Sequence, residues 1–174
     1  TGGLVDMAGI EKVCEKYAAL GVAGFKLDFF DGQDQLTIKQ VEKISKICAD
    51  YKLVLDLHGI YKPAGFNRTW PNVLNFEGVY GAENLSRKDL NLPLYNVTVP
   101  YIRMASGPMD YTPGIFEMDL GPVTGGNNNS KVNSTLTNQL ALYVTLYSPL
   151  QMAADFPEHY EKHMDAFQFI KDVA

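Results

Sequence analysis

Acidic and other polar side chains follow several of the short apolar runs in this sequence. Asp28, His58, Glu77 and Asp110 each follow such a run, which places them at predicted strand ends, and Glu83 follows Glu77 after a stretch that contains two glycines. Carboxylates that converge in one site can act as acid, base or nucleophile, and hydrolysis of a glycosidic bond uses such a pair. They can also hold a hard cation, because Ca²⁺ prefers oxygen ligands. The elements that carry these residues decide between these kinds of chemistry.

Asp28 lies in the apolar stretch GFKLDFF (24–30), where burying an unpaired carboxylate costs several kcal/mol. Lys26 precedes it by two positions, so both side chains point to the same face of an extended strand. Two interpretations follow. The pair is a structural Lys–Asp contact, or Asp28 is a nucleophile that Lys26 keeps ionised.

The other candidates also have two interpretations each. Glu77 and Glu83 suit either a solvated, glycine-containing loop or a cation site built from carboxylate oxygens. His58 is either a buried histidine with internal partners or a hydrogen-bond donor to a sugar hydroxyl. Asp110 lies in the turn-rich stretch GPMDYTPG (107–114), and long irregular segments of this kind are commonly functional.

Composition excludes several classes of protein. The 174 residues are 46% hydrophobic and 20% charged, which is typical of one folded domain. A formal net charge of -5 gives no electrostatic reason to expect a nucleic acid or an anionic membrane as partner. No apolar run has the length of a membrane span. Cys14 and Cys48 fall on apolar positions of helix-like stretches, which indicates buried free thiols rather than a bridge.

The motifs of two common hydrolase classes are missing from the sequence. It has no G-x-S-x-G elbow, the turn that presents the nucleophile of many serine hydrolases. His159 and His163 are four residues apart, but the glutamate of a metalloprotease helix does not accompany them. Serine hydrolase and zinc protease chemistry therefore find no support.

The apolar periodicity alternates between helical and extended segments, the pattern of right-handed βαβ units. It predicts helices over residues 10–20, 34–50 and 134–147, strands over 22–30, 53–58 and 72–76, a weaker strand over 101–104 and a final strand over 150–153. Both a (β/α)8 barrel and a doubly wound sheet place active sites at the carboxyl ends of the strands. The doubly wound sheet usually carries a glycine-rich phosphate turn, which this sequence lacks between a strand and a helix. We therefore expect an α/β fold of the barrel type, with the 22–30 strand buried.

Several blocks of sequence, in the same order along the chain, resemble glycoside hydrolase family 97. They are KLDF (26–29), DLHGIYKPAG (56–65), RTWPN (68–72), EGVYGAE (77–83), RMASGPMDYTPG (103–114) and SPLQM (148–152). The resemblance extends from about residue 10 to about residue 160. Several matching blocks in order are far more specific than any one of them.

The resemblance implies a fold and a context. Family members have a catalytic (β/α)8 TIM barrel between an N-terminal β-sandwich and a C-terminal β-domain. Residues 1–174 would then be the C-terminal half of that barrel, a partial catalytic domain, with the flanking β-domains and early strands in the remainder of the parent chain. The sequence has no initiator Met and no obvious terminus, so we expect a fragment that is inactive in isolation. The family also implies a periplasmic or secreted protein.

The resemblance further implies a retaining mechanism. Asp28 matches the nucleophile of retaining members, and Glu83 matches the general acid and base. Inverting members carry a glutamate base immediately after the histidine that matches His58, but here that position is Gly59. The implied activity is that of a retaining exo-α-glycosidase, with α-galactosidase as the best-attested activity of the retaining branch. An α-glucosidase of the same family and a non-catalytic carbohydrate-binding barrel are the alternatives.

The family depends on calcium, and Glu77 matches a calcium ligand, with Glu83 as a second contact to the metal. We expect Lys26, His58 and Asp110 to bind the substrate, which is a glycoside or an oligosaccharide. The presence of both the matched nucleophile and the matched acid favours an enzyme over a binding protein, because binding alone does not need that pair.

Overall fold

The structure is a computed structural model, and it describes residues 7–30, 32–85, 87–124 and 131–173. The chain divides into two compact units. The first unit comprises residues 1–78 with 106–108, and the second comprises residues 79–105 with 109–174. Among the described residues, no helix is long and apolar enough to cross a membrane.

The first unit alternates helices and strands. It contains α1 (Met7–Ala19), β1 (Gly24–Leu27), α2 (Gln35–Asp50), β2 (Val54–Leu57), α3 (Phe66–Thr69) and β3 (Val73–Phe76). Asp34 caps α2, since its carboxylate accepts a hydrogen bond from the Thr37 N–H at 2.9 Å. The alternation predicted for residues 10–76 is confirmed, and the fold class is α/β.

The three strands form one parallel sheet in the order β1–β2–β3. Leu27 pairs with Leu57, and Leu57 pairs with Phe76. The central strand β2 is enclosed, and Leu55 and Leu57 have no exposed surface. Strand β1 pairs with only one neighbour in the described chain, and Lys26 in it is exposed. The prediction that the 22–30 strand is buried is therefore wrong: β1 is an edge strand here.

Apolar side chains from α1, α2 and the strands form the core of the first unit. Cys14 on α1 and Cys48 on α2 are fully buried free thiols, as predicted, with their sulfur atoms 3.7 Å apart. Burial raises the pKa of the Cys48 thiol to about 12, and the neighbouring Cys14 adds to the shift. Because the thiolate is the reactive form, Cys48 contributes to packing and does not act as a nucleophile.

The described part of the second unit is largely helical. It contains a 3-10 turn (Ala82–Asn84), α4 (Leu92–Arg103), a second 3-10 turn at the boundary with the first unit (Met104–Ser106), α5 (Gly121–Thr124), α6 (Leu136–Thr145), α7 (Pro157–Glu161) and α8 (Met164–Val173). Helix α6 confirms the helix predicted over residues 134–147. Helices α7 and α8 were not predicted.

Two strands predicted for this half of the chain are wrong. Residues 101–104 lie at the end of α4 and in the following 3-10 turn; that helix begins where Asn91 accepts a hydrogen bond from the Leu94 N–H at 3.3 Å. Residues 150–153 have no strand partner in the part of the chain that the structure describes. Their backbone bonds to side chains instead, since the Met152 carbonyl accepts from the Tyr143 hydroxyl at 2.6 Å.

Candidate active site

A polar residue follows each of the three strands of the first unit. Asp28 comes directly after β1, His58 after β2 and Glu77 after β3. The hydrogen-bond ladder continues one step beyond the strands: the His58 N–H donates to the Leu27 carbonyl, and the Glu77 N–H donates to the Leu57 carbonyl, both at 2.8 Å. Parallel pairing thus brings together three side chains that are far apart in sequence. Their predicted positions at strand ends are confirmed.

The Asp28 carboxylate has two donors in its own segment. The Lys26 ammonium nitrogen lies 3.3 Å from Oδ2, as the same-face prediction required, and the Phe29 N–H donates to Oδ1 at 2.7 Å. Because the two side chains are 30% and 46% exposed, their ion pair adds at most about 1 kcal/mol to stability. Phe29 has a left-handed φ of 65°, and such strained residues concentrate at functional sites. These two observations favour the functional interpretation of the pair over the structural one.

His58 lies among three carboxylates of the first unit. Its Nε2 is 3.5 Å from Asp56 Oδ2, and its Nδ1 is 3.6 Å from Glu77 Oε1 and 4.0 Å from Asp28 Oδ2. The imidazole is only 7% exposed. Acidic groups near both ring nitrogens hold the ring in one orientation. His58 is therefore largely buried, and its Nδ1 edge lies towards the two carboxylates at the neighbouring strand ends.

Glu77 is held by the backbone of the β2 end. The Gly59 N–H donates to Glu77 Oε2 at 2.8 Å. Gly59 has a φ of 54°, in the left-handed region that glycine adopts without a steric penalty. The Glu77 side chain is 18% exposed, so it is partly buried but still accessible to solvent. Its oxygens are hard donors, and this chemistry fits the predicted Ca²⁺.

A cavity of about 290 Å³ opens beside these strand ends in the first unit. It is lined by Phe30, Gly32, Gln33, Gly59, Ile60 and Tyr61. Gly59 forms part of the wall and also approaches the Asp28 carboxylate, because a Cβ placed on it would be 2.9 Å from Asp28 Oδ1. A concave surface with aromatic walls beside convergent polar groups is the usual form of a small-ligand site.

Glu83 belongs to the second unit and is exposed on the 3-10 turn Ala82–Asn84. The Ala82 N–H donates to the Tyr111 carbonyl at 2.8 Å and fixes the start of the turn. Tyr111 is buried and donates from its hydroxyl to Asn96 Oδ1 at 2.9 Å. The backbone below Glu83 is therefore firmly held, while its carboxylate is accessible to water.

The predicted position of Asp110 at a strand end is wrong: in the same unit, this residue lies in an irregular segment, where it is 1% exposed. Its Oδ1 accepts a hydrogen bond from the Thr112 N–H at 3.3 Å. The next residues are anchored by Gln139, whose Oε1 accepts from the N–H groups of Gly114 and Ile115 at 3.0 and 3.2 Å. The segment that carries Asp110 is thus fixed by a buried amide of α6.

Known proteins match this chain over most of its length. The family model for glycoside hydrolase 97 matches residues 5–79. A retaining alpha-galactosidase of Bacteroides thetaiotaomicron is 44% identical over 167 residues, which cover 94% of this chain and 25% of that protein. The chain is similar to members of glycoside hydrolase family 97. The resemblance inferred from the motifs is confirmed.

Two further matches agree with family 97. A probable retaining alpha-galactosidase of Streptomyces bingchenggensis is 33% identical over 88% of this chain and 22% of its own length. A variant of a family 97 enzyme from Pseudoalteromonas sp. strain K8, solved in complex with panose, superposes with a TM-score of 0.81; it is 31% identical, over 95% of this chain and 28% of its own. The chain therefore spans about a quarter of the length of the relatives it matches.

Sequence reasoning missed three contributors to the site. Asp56 is 2% exposed and lies beside His58; the signal was a carboxylate in an apolar strand, two positions before the histidine and hence on the same face. Gly59 was noted only for the side chain it lacks, whereas its N–H also binds Glu77. The left-handed backbone of Phe29 had no signal in the sequence, since bulky residues rarely adopt it.

Proposed function

We propose that the complete polypeptide carrying this chain is a retaining exo-α-glycosidase that acts on α-galactosides. The observation that carries the proposal is the Asp28 carboxylate at the end of β1, with Lys26 and the Phe29 N–H as donors. A retaining enzyme needs a carboxylate held at one position beside the sugar, and two donors restrict its rotation. The 44% identity to a retaining alpha-galactosidase supports the substrate class.

In the first step of the proposed reaction, an Asp28 oxygen attacks the anomeric carbon, and the bond from that carbon to the leaving oxygen breaks. Glu83, in its protonated form, donates its proton to the leaving oxygen, so that a neutral alcohol departs. The sugar is then an ester of Asp28, with its configuration at the anomeric carbon inverted.

In the second step, Glu83 is a carboxylate and takes a proton from a water molecule, whose oxygen attacks the anomeric carbon. The ester bond to Asp28 breaks, and the second inversion restores the α-configuration. The proton taken from this water restores the acid form of Glu83 for the next cycle, so its carboxylate must be reachable by water. Its exposed position on a 3-10 turn agrees with that role.

We propose Lys26, His58 and Asp110 as substrate-binding residues, and Glu77 as a calcium ligand with Glu83 as a second contact. Glu77 suits this role because the Gly59 N–H fixes one of its oxygens. Ca²⁺, when bound, supplies positive charge that orients sugar hydroxyls and opposes developing negative charge. Calcium-dependent activity that is lost in Glu77→Gln at low, but not at high, calcium would support the assignment.

We also propose that the sheet of the first unit is part of a (β/α)8 barrel. The strands are parallel, are ordered as in the sequence and alternate with helices, and the TM-score to a family 97 enzyme is 0.81. The other strands and the flanking β-domains would lie in a longer polypeptide. The chain matches only about a quarter of the length of its relatives, which agrees with that arrangement.

An α-glucosidase of the same family is the second candidate function. The solved relative from Pseudoalteromonas sp. strain K8 binds panose, a trisaccharide of α-linked glucose. Galactose and glucose differ in the orientation of one hydroxyl, so a few side chains decide the preference. Comparing kcat/KM for matched aryl α-galactosides and α-glucosides distinguishes the two. A preference for the glucoside would change the substrate but not the mechanism.

Covalent trapping tests the role of Asp28. The complete polypeptide is incubated with an activated α-galactoside whose ring fluorine slows the second step, and its peptides are analysed by mass spectrometry. We expect one glycosyl group on the peptide that contains Asp28, and none in Asp28→Asn. Asp50→Asn, which changes an exposed carboxylate at the end of α2, should keep the label. A label on another carboxylate would contradict the proposal.

A further inference from the structure

The backbone of Gly59 lies against the Asp28 segment with no space for a side chain. A Cβ on Gly59 would be 2.8 Å from the Phe29 backbone nitrogen, 2.9 Å from Asp28 Oδ1 and 3.1 Å from the Phe29 Cα. The first two distances are shorter than real Cβ contacts allow and the third is tighter than most, so any side chain at this position requires a neighbour to move.

Gly59 itself cannot easily move away. Its N–H donates to Glu77 Oε2 at 2.8 Å, and its φ of 54° belongs to a turn that only a residue tolerant of the left-handed region adopts without strain. A shift of Gly59 would break the hydrogen bond that orients Glu77. The other side of the contact must therefore yield.

The other side of the contact is the backbone and side chain around Asp28. The Phe29 N–H donates to Asp28 Oδ1 at 2.7 Å, and Phe29 itself has a left-handed φ of 65°. Phe29 is backbone at this point, not the end of a flexible side chain, so it cannot rotate out of the way. The Asp28 carboxylate is the part that a side chain at position 59 would displace.

We propose that Gly59 is a positioning residue for Asp28: its missing side chain leaves the space in which the carboxylate and the Phe29 N–H meet. The inference rests on the proposed role of Asp28 as nucleophile. A displacement of about 1 Å in a catalytic group can cost about 100-fold in rate. We expect Gly59→Ala to lower kcat by about that factor, with KM nearly unchanged because the sugar contacts remain.

Gly21→Ala is the matched control. Gly21 also has a left-handed φ, of 83°, but a Cβ there meets nothing within 4 Å. Alanine therefore introduces backbone strain at both positions, and a steric contact only at Gly59. We expect Gly21→Ala to lower the thermal midpoint but to leave kcat and KM unchanged.

A second comparison removes the carboxylate itself. In Asp28→Gly of the complete polypeptide, added azide can replace the nucleophile: its nitrogen attacks the anomeric carbon of an aryl α-galactoside, the phenol leaves, and a β-galactosyl azide forms. We expect Gly59→Ala to lower this azide-dependent rate by less than about tenfold, against about 100-fold when Asp28 is present, because contacting residues have non-additive effects.

The outcomes of these experiments distinguish the positioning role of Gly59 from the proposed function of Asp28 as nucleophile. Equal losses with and without Asp28, or no loss in Gly59→Ala, would overturn the positioning role and leave Asp28 as nucleophile. Turnover by Asp28→Gly without azide would overturn the proposed function itself. If Gly59→Ala fails to fold but Asp28→Gly/Gly59→Ala folds, the clash with Asp28 is supported. If neither folds, Gly59 serves the fold and not Asp28.

Discussion

At the scale of single residues, the two proposed catalytic carboxylates have different surroundings. Asp28 has the Lys26 ammonium and the Phe29 N–H within hydrogen-bond range and is 30% exposed. Glu83 stands exposed on a short 3-10 turn whose backbone is anchored to the Tyr111 carbonyl. A nucleophile must be held beside one carbon atom, whereas the acid and base gives a proton to the leaving oxygen and takes one from the attacking water. The two environments suit these different tasks.

Glu83→Gln should affect substrates according to their leaving group. Loss of a general acid costs about 10²- to 10⁴-fold where the leaving alkoxide needs a proton. We therefore expect kcat/KM, which reports the first step, to fall by about that factor on an α-galactosyl disaccharide, and much less on an aryl galactoside with an acidic phenol. Steady-state kinetics on both substrates measure the difference. Glu158→Gln, at another exposed site in α7, should change neither; equal losses on both substrates in Glu83→Gln would contradict the assignment.

Residue positions could be predicted where the sequence pattern itself carries them. An apolar run that ends in a polar residue predicted the places of Asp28, His58 and Glu77, and the spacing of two predicted the Lys26 contact. The closeness of Gly59 to Asp28 could not be predicted, because it depends on how two strand ends pack. The functional roles of these residues are still predictions.

At the scale of elements, one buried carboxylate connects the segment after Asp110 to helix α7. Asp155 is 2% exposed; its Oδ2 accepts from the N–H groups of Phe116 and Glu117 at 2.7 and 2.8 Å. Its Oδ1 accepts from the Phe156 N–H at 2.8 Å and lies 2.5 Å from His159 Nδ1. Burial alone would raise the pKa of Asp155, but these four partners outweigh burial and lower it below its ordinary value of 3.8.

The lowered pKa predicts how this connection depends on pH. Because the folded pKa lies below 3.8, the stabilisation is present above that pH and is lost as pH falls through the folded value. We expect the Phe116 and Glu117 amides to lose protection from hydrogen exchange in this acid range, after correction for intrinsic rates. Asp155→Asn should make them exchange about 10- to 100-fold faster at neutral pH, since hydrogen bonds to charged groups contribute about 1.5–3 kcal/mol.

Asp165→Asn is the control for that experiment, because Asp165 is an exposed acid in the first turn of α8. In Asp165→Asn, the amides of the first turn of α8 and those of Phe116 and Glu117 should exchange as in the unmodified protein. Unchanged protection in Asp155→Asn would contradict the anchoring role of the buried carboxylate.

The elements of the first unit other than the short helix α3 could be predicted, because their apolar periods are long and uniform. The second unit was harder. Tyr101 and Ile102 favour a strand by residue type, yet they are 85% and 75% exposed on the last turn of α4, which the cap at Asn91 establishes ten residues earlier. A window of four residues cannot detect a helix that begins so far upstream. The strand predicted over residues 150–153 is wrong for another reason: the backbone of this segment forms hydrogen bonds with side chains distant in the fold, such as that of Tyr143.

At the scale of the whole molecule, the 174 residues alone should not turn over substrate. They match about a quarter of the length of their relatives, so the groups that complete the proposed barrel would be absent. We expect no hydrolysis of an aryl α-galactoside by this chain, and activity from the complete polypeptide under the same conditions. Turnover by the 174 residues at a comparable kcat would show that the site needs nothing further.

The central claim is that the reaction proceeds with retention through Asp28. Proton NMR of the complete polypeptide hydrolysing an aryl α-galactoside records which anomer of the free sugar appears before mutarotation. The two-step reaction predicts that the α-anomer appears first, since each step inverts the anomeric carbon. If the β-anomer appears first, a single displacement by water has occurred, and the assignment of Asp28 as nucleophile is wrong.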